Sequence, residues 1–265
     1  MATLKEKMAN GPVFGLAVFT GAPCIIETTG HWGFDFVYLD LEHCSIGIGP
    51  EIERQIMAAR LSGVSPIVRV TGVNDVEIRK VLEMGAEGVA IPHIRTKGDI
   101  EESVRAAKFP PQGRRGAESS VRSAGFGGPN FSWQEYIARS NAETLVIPMA
   151  EDYEFSDNID EILAVPGIDA VNFGPLDYSL SKNLPVGYGM SGEVATAFET
   201  LVSKARPKGI GVMCPVVPAS AESVDAAIGK GINMLILGND MYHFHNACCS
   251  LVRDCIEPVK NNLKR

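Results

Sequence analysis

The fold is decided by one stretch, Thr144–Ser179, which reads TLVIPMAEDYEFSDNIDEILAVPGIDAVNFGPLDYS. It contains two apolar runs, Leu145–Ala150 and Ala170–Phe173, and a carboxylate follows each run, Glu151 after the first and Asp177 after the second. Apolar residues recur at helical spacing between the runs, so the pattern predicts a strand, a helix and a strand. Because parallel strands joined by one helix end at the same edge of a sheet, both carboxylates are predicted to lie on one rim.

Two carboxylate ligands on one rim favour Mg²⁺ or Mn²⁺ over a structural zinc ion. The alternative is that Glu151 and Asp177 are ordinary solvated loop residues. The turn that precedes Asp177 favours the site, because a tight turn brings backbone N–H groups close to a ligand. Gly174, Pro175 and Leu176 are therefore predicted to bind the carboxylate of a substrate through their backbone.

The rest of the chain repeats the strand and helix pattern about eight times without a break in composition. The strands are continuous apolar runs, which is typical of a parallel sheet buried on both faces. We therefore predict a single (β/α)8 TIM barrel over residues 1–265. A doubly wound sheet is the alternative, and it would need a Gly-rich phosphate turn after the first strand, which this chain lacks. The remaining predicted strands are Val13–Thr20, Phe34–Leu41, Pro66–Val70, Gly88–Ile94, Ile210–Val217 and Met234–Leu237, with a C-terminal helix over Met241–Val259.

Composition bounds the classes of function. The chain has 265 residues, of which 45% are hydrophobic and 21% charged, and its net charge is −8. With no run of Lys or Arg, it is not expected to bind nucleic acid or a membrane. Its N-terminus lacks the apolar core of a signal peptide, so we expect a cytoplasmic protein. The six cysteines form no CxxC pair and are predicted to be buried, reduced thiols.

Charged and basic side chains lie at the ends of the second, third and fourth predicted strands. Asp40, Glu42 and His43 lie at the end of the second strand, Arg69 lies near the end of the third and His93 near the end of the fourth. In barrel enzymes the chemistry occurs where the strands end. A 2-oxo acid would chelate a divalent cation on this rim, and the cation would act as a Lewis acid. Arg69 would stabilise the enolate, and Asp40 would orient His43 as a general base. No Lys lies at a strand end, which disfavours a Schiff-base aldolase.

Taken together, these motifs resemble the HpcH/HpaI family of class II, metal-dependent pyruvate aldolases. That family includes 2,4-dihydroxyhept-2-ene-1,7-dioate aldolase and 2-keto-3-deoxy sugar-acid aldolases. The motifs span nearly the whole chain in the family's order. They are LDLEH at Leu39–His43, PIVRV at Pro66–Val70, GAEGVAIP at Gly85–Pro92, FPPQGRRG at Phe109–Gly116, the segment around Glu151, and ILAVPGIDAVNFGPLDYS at Ile162–Ser179.

The resemblance implies a barrel whose last helix is exchanged between neighbouring subunits of a homohexamer, a trimer of dimers. It implies a divalent metal cation, Mg²⁺, Mn²⁺ or Co²⁺, bound by Glu151 and Asp177, with Glu42 holding metal-bound water. It also implies that Arg69 binds the keto oxygen, that His43 and Asp40 form the acid–base pair, and that Ser119 contacts the substrate.

The implied reaction is the reversible retro-aldol cleavage of a 4-hydroxy-2-oxo acid through a metal-bound enolate. Its products are pyruvate, or hydroxypyruvate, and an aldehyde. Other readings stay open within the enzymes: a citrate-lyase-like CoA-ester lyase, which would need a basic surface for the CoA phosphate, and a metal-dependent hydratase or tautomerase. From a different class, the barrel could bind a 2-oxo acid as a sensor without turning it over.

Three residues depart from the family's pattern. Met149 replaces a common Gln, Glu118 replaces a small residue, and His93 replaces an apolar one. These departures leave the pyruvate end of the site intact and predict a changed aldehyde acceptor or a related C–C lyase reaction. Arg114, Arg115 and Glu118 are expected beside the rim, where they would select the acceptor. The alternative for the arginines is that they pair with surface acids or hold the long 109–131 loop in place.

Overall fold

The computed structural model describes residues 2–187 and 190–263. Eight parallel strands close into a barrel in sequence order, and the last strand is hydrogen-bonded to the first. The predicted TIM barrel is therefore confirmed, and the doubly wound sheet is excluded. The strands are β1 Val13–Val18, β2 Phe36–Asp40, β3 Ser65–Arg69, β4 Gly88–Ile91, β5 Leu145–Ala150, β6 Ala170–Phe173, β7 Gly211–Pro215 and β8 Met234–Asn239.

Helices follow the strands and surround the barrel, and one further helix precedes β1. They are α1 Leu4–Asn10, α2 Pro23–His31, α3 Pro50–Ser62, α4 Asp75–Glu83, α5 Lys97–Ala107, α6 Trp133–Glu143, α7 Tyr153–Asp157, α8 Ile159–Ile162, α9 Pro175–Ser181, α10 Gly192–Ala205, α11 Ala221–Gly229, α12 Asp240–Leu251 and α13 Glu257–Leu263. In the described part of the chain, no helix has both the length and the apolar character needed to cross a membrane.

Side chains alternate between two apolar layers along each strand. In β2, Phe36 and Tyr38 belong to the cluster that fills the barrel, whereas Val37 and Leu39 pack outward against the helices. Gly15 in β1 makes room for this interior, because a Cβ there would lie 2.3 Å from the Phe36 ring. The barrel is thus a packed core, and ligands can be bound only at its ends.

Several segments differ from the predicted elements. The connection between β5 and β6 is two short helices, α7 and α8, instead of one, and a short 3₁₀ segment, Arg122–Gly127, lies inside the long loop. The C-terminal helix is divided by a wider π turn at Val252–Ile256. Two helices were not predicted: α1, which a capping box at Thr3 and Glu6 begins, and α9.

The cysteines correct one prediction. All six are free thiols, but only Cys214 is buried. Cys44 is half-buried, and the other four are exposed to solvent: Cys24, Cys248, Cys249 and Cys255. Four of the exposed or intermediate thiols lie on α2 or in the helical C-terminal segment, where one face points away from the barrel of a single chain. That C-terminal segment also exposes apolar side chains, Met241, Phe244, Leu251, Val252, Ile256, Val259 and Leu263. Exchange of this helix between subunits stays a prediction.

Candidate active site

An ion pair joins the carboxyl-terminal ends of β2 and β3. The last residues of these strands, Asp40 and Arg69, are register partners. Arg69 Nε donates to Asp40 Oδ1 at 2.7 Å, and Arg69 Nη1 lies 2.8 Å from Glu42 Oε2. Asp40 and Arg69 are 2% and 6% exposed, so both charges are removed from water and hold each other in one geometry. The guanidinium is thereby fixed on the rim, with more N–H donors than these two contacts use.

Asp40 holds the backbone of the following turn. Its Oδ1 accepts the N–H of Glu42 at 3.0 Å, and its Oδ2 accepts the N–H of His43 at 3.1 Å. Burial acts to raise the pKa of Asp40, but the hydrogen bond and charge of Arg69 and the two backbone N–H groups outweigh it, so the pKa is lowered. Asp40 is therefore a stable carboxylate.

The expected contact between Asp40 and the His43 ring is not formed among the described residues. The carboxylate of Asp40 is already occupied by Arg69 and by two backbone donors. The His43 side chain is 61% exposed, and its Nε2 lies 3.8 Å from Glu42 Oε2. Asp40 thus positions His43 through its backbone, and the imidazole faces the open side of the rim next to Glu42.

Glu151 follows β5 and is packed against the turn after β6. It is 1% exposed, and a Cβ added to Gly174 would lie 2.9 Å from its Cβ and 3.0 Å from its Oε2. Glycine at position 174 therefore makes room for this carboxylate. Burial, with the charges of Glu42 and Asp177, raises the pKa of Glu151 to about 7, against the N–H of His93, which donates to Oε1 at 2.8 Å.

Asp177 reaches the same rim from the first turn of α9. Pro175 is the first residue of this helix, and Gly174 is its N-cap. Asp177 is half-buried, and its negative charge acts on Glu151. The structure therefore brings Glu42, Glu151 and Asp177 to one rim from three different strand ends.

These residues fit a divalent cation. One ligand atom from each of Glu42, His93 and Glu151 lies within 4.8 Å of the others. Arg69 already neutralises Asp40 and contacts Glu42. Among the described residues no Lys or Arg pairs with the buried Glu151, and its nearest basic group is the His93 ring, with Nδ1 3.7 Å from Glu151 Oε1. A bound cation would supply the missing positive charge, and oxygen and imidazole ligands suit several divalent metals.

Sequence reasoning named His93 as a strand-end residue but missed its position in this cluster. Its Nε2 lies 3.2 Å from Glu42 Oε1, and its Nδ1 lies 3.0 Å from Asp152 Oδ2. Asp152 in turn lies 3.1 Å from Arg95 Nε, so two further residues support the rim. Their positions in the sequence could have indicated that Asp152 and Arg95 lie near the rim, since Asp152 directly follows Glu151 and Arg95 lies two residues beyond His93.

The long loop lies elsewhere than expected. Arg115 lines a cavity of about 570 Å³ together with residues at the amino-terminal ends of β3, β4 and β5, away from the rim. It bonds to Ser140 Oγ at 3.2 Å, whereas Arg114 pairs with the surface acid Glu102. The arginines thus hold the loop in place, which was the alternative interpretation. Ser119 is half-buried and lies near Gly127, and no hydrogen bond between described residues joins it to the rim carboxylates.

Met149, the departure that lies on a strand of the structure, β5, is found below the rim inside the barrel. Its Sδ lies 3.5 Å from the hydroxyl of Tyr38, which also accepts a hydrogen bond from Asn172 Nδ2 at 3.3 Å. Burial raises the pKa of Tyr38 well above its usual value, so the phenol stays neutral. These three side chains form part of the floor of the site.

Comparison with known proteins places this chain in a family. Residues 14–247 match the HpcH/HpaI aldolase/citrate lyase family. A 5-keto-4-deoxy-D-glucarate aldolase of Escherichia coli O139:H28 (strain E24377A) is 30% identical over 227 residues, which are 85% of each chain.

Two solved structures show the same fold. The HpcH/HpaI aldolase of Desulfitobacterium hafniense DCB-2 is 28% identical over 97% of this chain and 98% of its own, with a TM-score of 0.88. The citrate synthase SbnG is 27% identical over 99% of both chains, with a TM-score of 0.84. The chain therefore belongs to the HpcH/HpaI aldolase/citrate lyase family and is an aldolase, a carbon–carbon lyase.

Proposed function

We propose that this aldolase is metal-dependent and cleaves a 4-hydroxy-2-oxo acid reversibly to pyruvate, or hydroxypyruvate, and an aldehyde. The observation that supports this most is the group of carboxylates on the rim, Glu42, Glu151 and Asp177, beside the fixed guanidinium of Arg69. In this proposal Glu151 and Asp177 hold the cation, and Glu42 holds its water. The cation, Mg²⁺, Mn²⁺ or Co²⁺, would act as a Lewis acid on the 2-oxo acid.

The residues of the chain then have separate tasks. Arg69 donates to the keto oxygen and stabilises the enolate as negative charge develops there. Its ion pair with Asp40 supports this role, because the donor is oriented before the substrate arrives. The turn Gly174–Leu176 at the start of α9 faces the substrate carboxylate, and the backbone N–H of Leu176 is its donor there, because Pro175 has no N–H and that of Gly174 already donates to Ala150 O at 3.2 Å.

His43 acts as the general base in this proposal. It takes a proton from the methyl group of pyruvate in aldol addition, or from the 4-hydroxyl group of the substrate in retro-aldol cleavage. The exposure of its imidazole supports this role, because the ring can reach a substrate that lies on the open side of the rim. Asp40 positions His43 through the backbone. Ser119 contacts the substrate in this proposal, and the 109–131 loop has to rearrange to bring it to the rim.

An acceptor screen tests the proposed function. Pyruvate and hydroxypyruvate are each mixed with a panel of aldehydes, before and after exhaustive chelation, and with Mg²⁺, Mn²⁺ and Co²⁺ added back. We expect aldol products that disappear on chelation and return with metal. Full activity after chelation would remove the cation from the proposal, and the absence of product with every aldehyde would contradict the aldol reaction itself.

A citrate-type carbon–carbon lyase is the second candidate, and the similarity to citrate synthase SbnG over the whole chain favours it. Because the chain is a carbon–carbon lyase, the sensor that binds a 2-oxo acid without turnover is no longer proposed. Oxaloacetate tests the enolate-forming site, which should decarboxylate it. Acetyl-CoA should be consumed only by a citrate-type enzyme. The homohexamer and the cytoplasmic location stay predictions.

A further inference from the structure

We propose that His93 is a nitrogen ligand of the rim cation, so that this site is not built from oxygen ligands alone. This inference rests on the proposed function, because the cation is the one invoked there. His93 lies two residues beyond β4 and has a φ of 55°, in the left-handed region that few residues other than glycine adopt. The turn directs its backbone N–H to Glu151 Oε1 and its ring to Glu42, so that the residue spans the two carboxylates.

The hydrogen bonds of the ring determine which nitrogen is free. Nδ1 lies 3.0 Å from Asp152 Oδ2, and an ionised carboxylate can only accept. Nδ1 therefore carries the proton, and in the neutral ring Nε2 presents a lone pair. Arg95, whose Nε lies 3.1 Å from the same oxygen, holds Asp152 in place.

That lone pair faces another acceptor. Nε2 lies 3.2 Å from Glu42 Oε1, and two lone pairs at this distance repel unless a positive charge lies between them. Either a proton or a metal ion can occupy this position. Arg69 does not occupy it, because its Nη1 contacts the other oxygen of Glu42, Oε2, at 2.8 Å.

The geometry also fits a metal ion. Adjacent ligands of an octahedral cation with bonds of about 2.1 Å lie about 3.0 Å apart, and opposite ligands about 4.2 Å apart. The measured separation between Glu42 and His93 is 3.2 Å, close to that of adjacent ligands. One ligand atom of Glu151 lies within 4.8 Å of a ligand atom of each, so the three side chains surround one position that an ion can occupy once they move closer to it.

The surroundings of the ring also match a metal-bound histidine. Such a histidine usually donates its second N–H to a carboxylate, which fixes the tautomer and strengthens the ligand. Asp152 occupies that position here. The side chain of His93 is 48% exposed, so an ion can reach the ring from solvent.

The choice of metal follows from the nitrogen ligand. Carboxylate and water suit Mg²⁺ and Mn²⁺, whereas imidazole favours later transition metals, including Co²⁺ in the usual order of affinities. His93 should therefore raise the affinity for Co²⁺ relative to that for Mg²⁺. The replacement His93→Gln should lower Co²⁺ affinity by at least about 10-fold and change Mg²⁺ affinity much less.

Pulsed electron paramagnetic resonance of the Mn²⁺-loaded enzyme tests the ligand directly and without turnover. Coordination of Mn²⁺ by His93 predicts a ¹⁴N coupling that is lost in His93→Gln while Mn²⁺ stays bound through Glu151 and Asp177. His43→Gln is the matched control, because it removes the other imidazole near Glu42, and it should keep the coupling.

A second variant covers the case that His93→Gln folds poorly. Asp152→Asn leaves the His93 ring in place but weakens its support, and we expect Co²⁺ affinity measured by calorimetry to fall by about 10- to 100-fold. Bound Mn²⁺ without ¹⁴N coupling in the unaltered enzyme would overturn the inference and leave the proposed function standing. If no Mn²⁺ binds at all, both the inference and the metal dependence in the proposed function are wrong.

Discussion

Lys108 and Glu151 are both almost completely buried, one at the amino-terminal end of the strands and the other at the carboxyl-terminal rim. Lys108 Nζ donates to the backbone carbonyls of Asn141 at 2.9 Å and Thr144 at 2.5 Å. Glu151 accepts one N–H, that of His93, and lies in the field of two further carboxylates. Burial lowers the pKa of Lys108 and raises that of Glu151, so both charges are disfavoured by the loss of water.

Lys108 and Glu151 differ in their hydrogen-bond partners. Lys108 finds its acceptors within the chain, as does Arg115 nearby with the hydroxyls of Ser140 and Tyr136. Within the described part of the chain, Glu151 accepts a hydrogen bond from the N–H of His93 alone, and its acidic neighbours Glu42 and Asp177 add repulsion. The amino-terminal end therefore stabilises the barrel, whereas the rim holds unfavourable charge that a ligand can relieve, as expected where a barrel carries its chemistry. Substitutions at the two ends should accordingly change different properties.

The largest effect is expected at His43. In His43→Ala, aldol cleavage should fall by about 10²- to 10⁴-fold, because the base that takes the hydroxyl proton is lost. Oxaloacetate forms the same enolate by losing CO₂, with no proton abstracted, so its decarboxylation should keep most of its rate. Both rates are measured on one preparation. An equal loss of both activities would mean that His43 positions the substrate, and the assignment of the base would be wrong.

Substitution of Arg69 should lower both aldol cleavage and oxaloacetate decarboxylation, because both reactions form the enolate. The loss of a donor to a developing oxyanion costs about 10²- to 10³-fold in rate, and Arg69→Ala should show this for aldol cleavage and for decarboxylation. Arg69→Lys should recover little, because a single ammonium group cannot bind Asp40, Glu42 and a substrate in one plane. Full recovery in the lysine variant would show that only the charge is required.

At the opposite end, Lys108→Met should change stability and not the activity of the folded enzyme. The carbonyls of Asn141 and Thr144 would lose their donor, at a cost of about 1–3 kcal/mol for each buried group left unpaired. Thermal unfolding and kcat are measured together. Lys204→Met is the control, because its ion pair with Asp160 is exposed and worth about 0–1 kcal/mol. A loss of kcat without a loss of Tm in Lys108→Met would contradict the claim that the amino-terminal end serves stability and not catalysis.

The smallest effect concerns Glu151 and pH. Because its pKa is raised from the usual 4.5 to about 7, the folded protein keeps a proton that the unfolded chain loses between these values. The metal-free enzyme should therefore lose stability as pH rises from about 4.5 to 7. Glu151→Gln removes this penalty, so its Tm should exceed that of the unaltered protein by a few degrees at pH 8, where each kcal/mol is worth about 2–4 °C.

The advantage of Glu151→Gln should be small at pH 4.5, where the glutamate is protonated in the folded protein. Unfolding is followed in a chelating buffer at both pH values. A variant that is less stable than the unaltered protein at pH 8 would mean that the Glu151 carboxylate is well satisfied without a cation. The contrast with Lys108 would then fail.

The fold could be predicted from the sequence because continuous apolar runs define the strands. The residue at the carboxyl-terminal end of each strand then lies on the rim. Asp40, Arg69 and Glu151 were located in this way. The contacts of His43 and His93 could not be predicted, because they depend on loop backbone. Asp40 is occupied by two N–H groups of its own turn, and the φ of His93 directs its ring over the rim.

The long loop shows a second limit of sequence. A stretch rich in Gly, Pro and Arg after a strand and helix suggests a functional loop, yet Arg115 lies near Phe109 and Tyr136, with its guanidinium 4.8 Å from the centre of the Phe109 ring. An arginine with aromatic and hydroxyl partners cannot be told from one that binds substrate until the path of the chain is known. The departures at Met149 and Glu118 were visible in the sequence, but the Met149 contact with Tyr38 was not.

Exchange of the C3 protons of pyruvate with deuterium tests the central claim most directly, because it reports enolate formation at the rim without an aldehyde. The exchange is followed by NMR with Mg²⁺ or Mn²⁺ present, after chelation, and in Glu151→Ala. We predict exchange in the metal-loaded enzyme, its loss on chelation, its return with added metal, and none in Glu151→Ala that is still folded. Exchange that continues unchanged after exhaustive chelation, or in Glu151→Ala, would contradict the account.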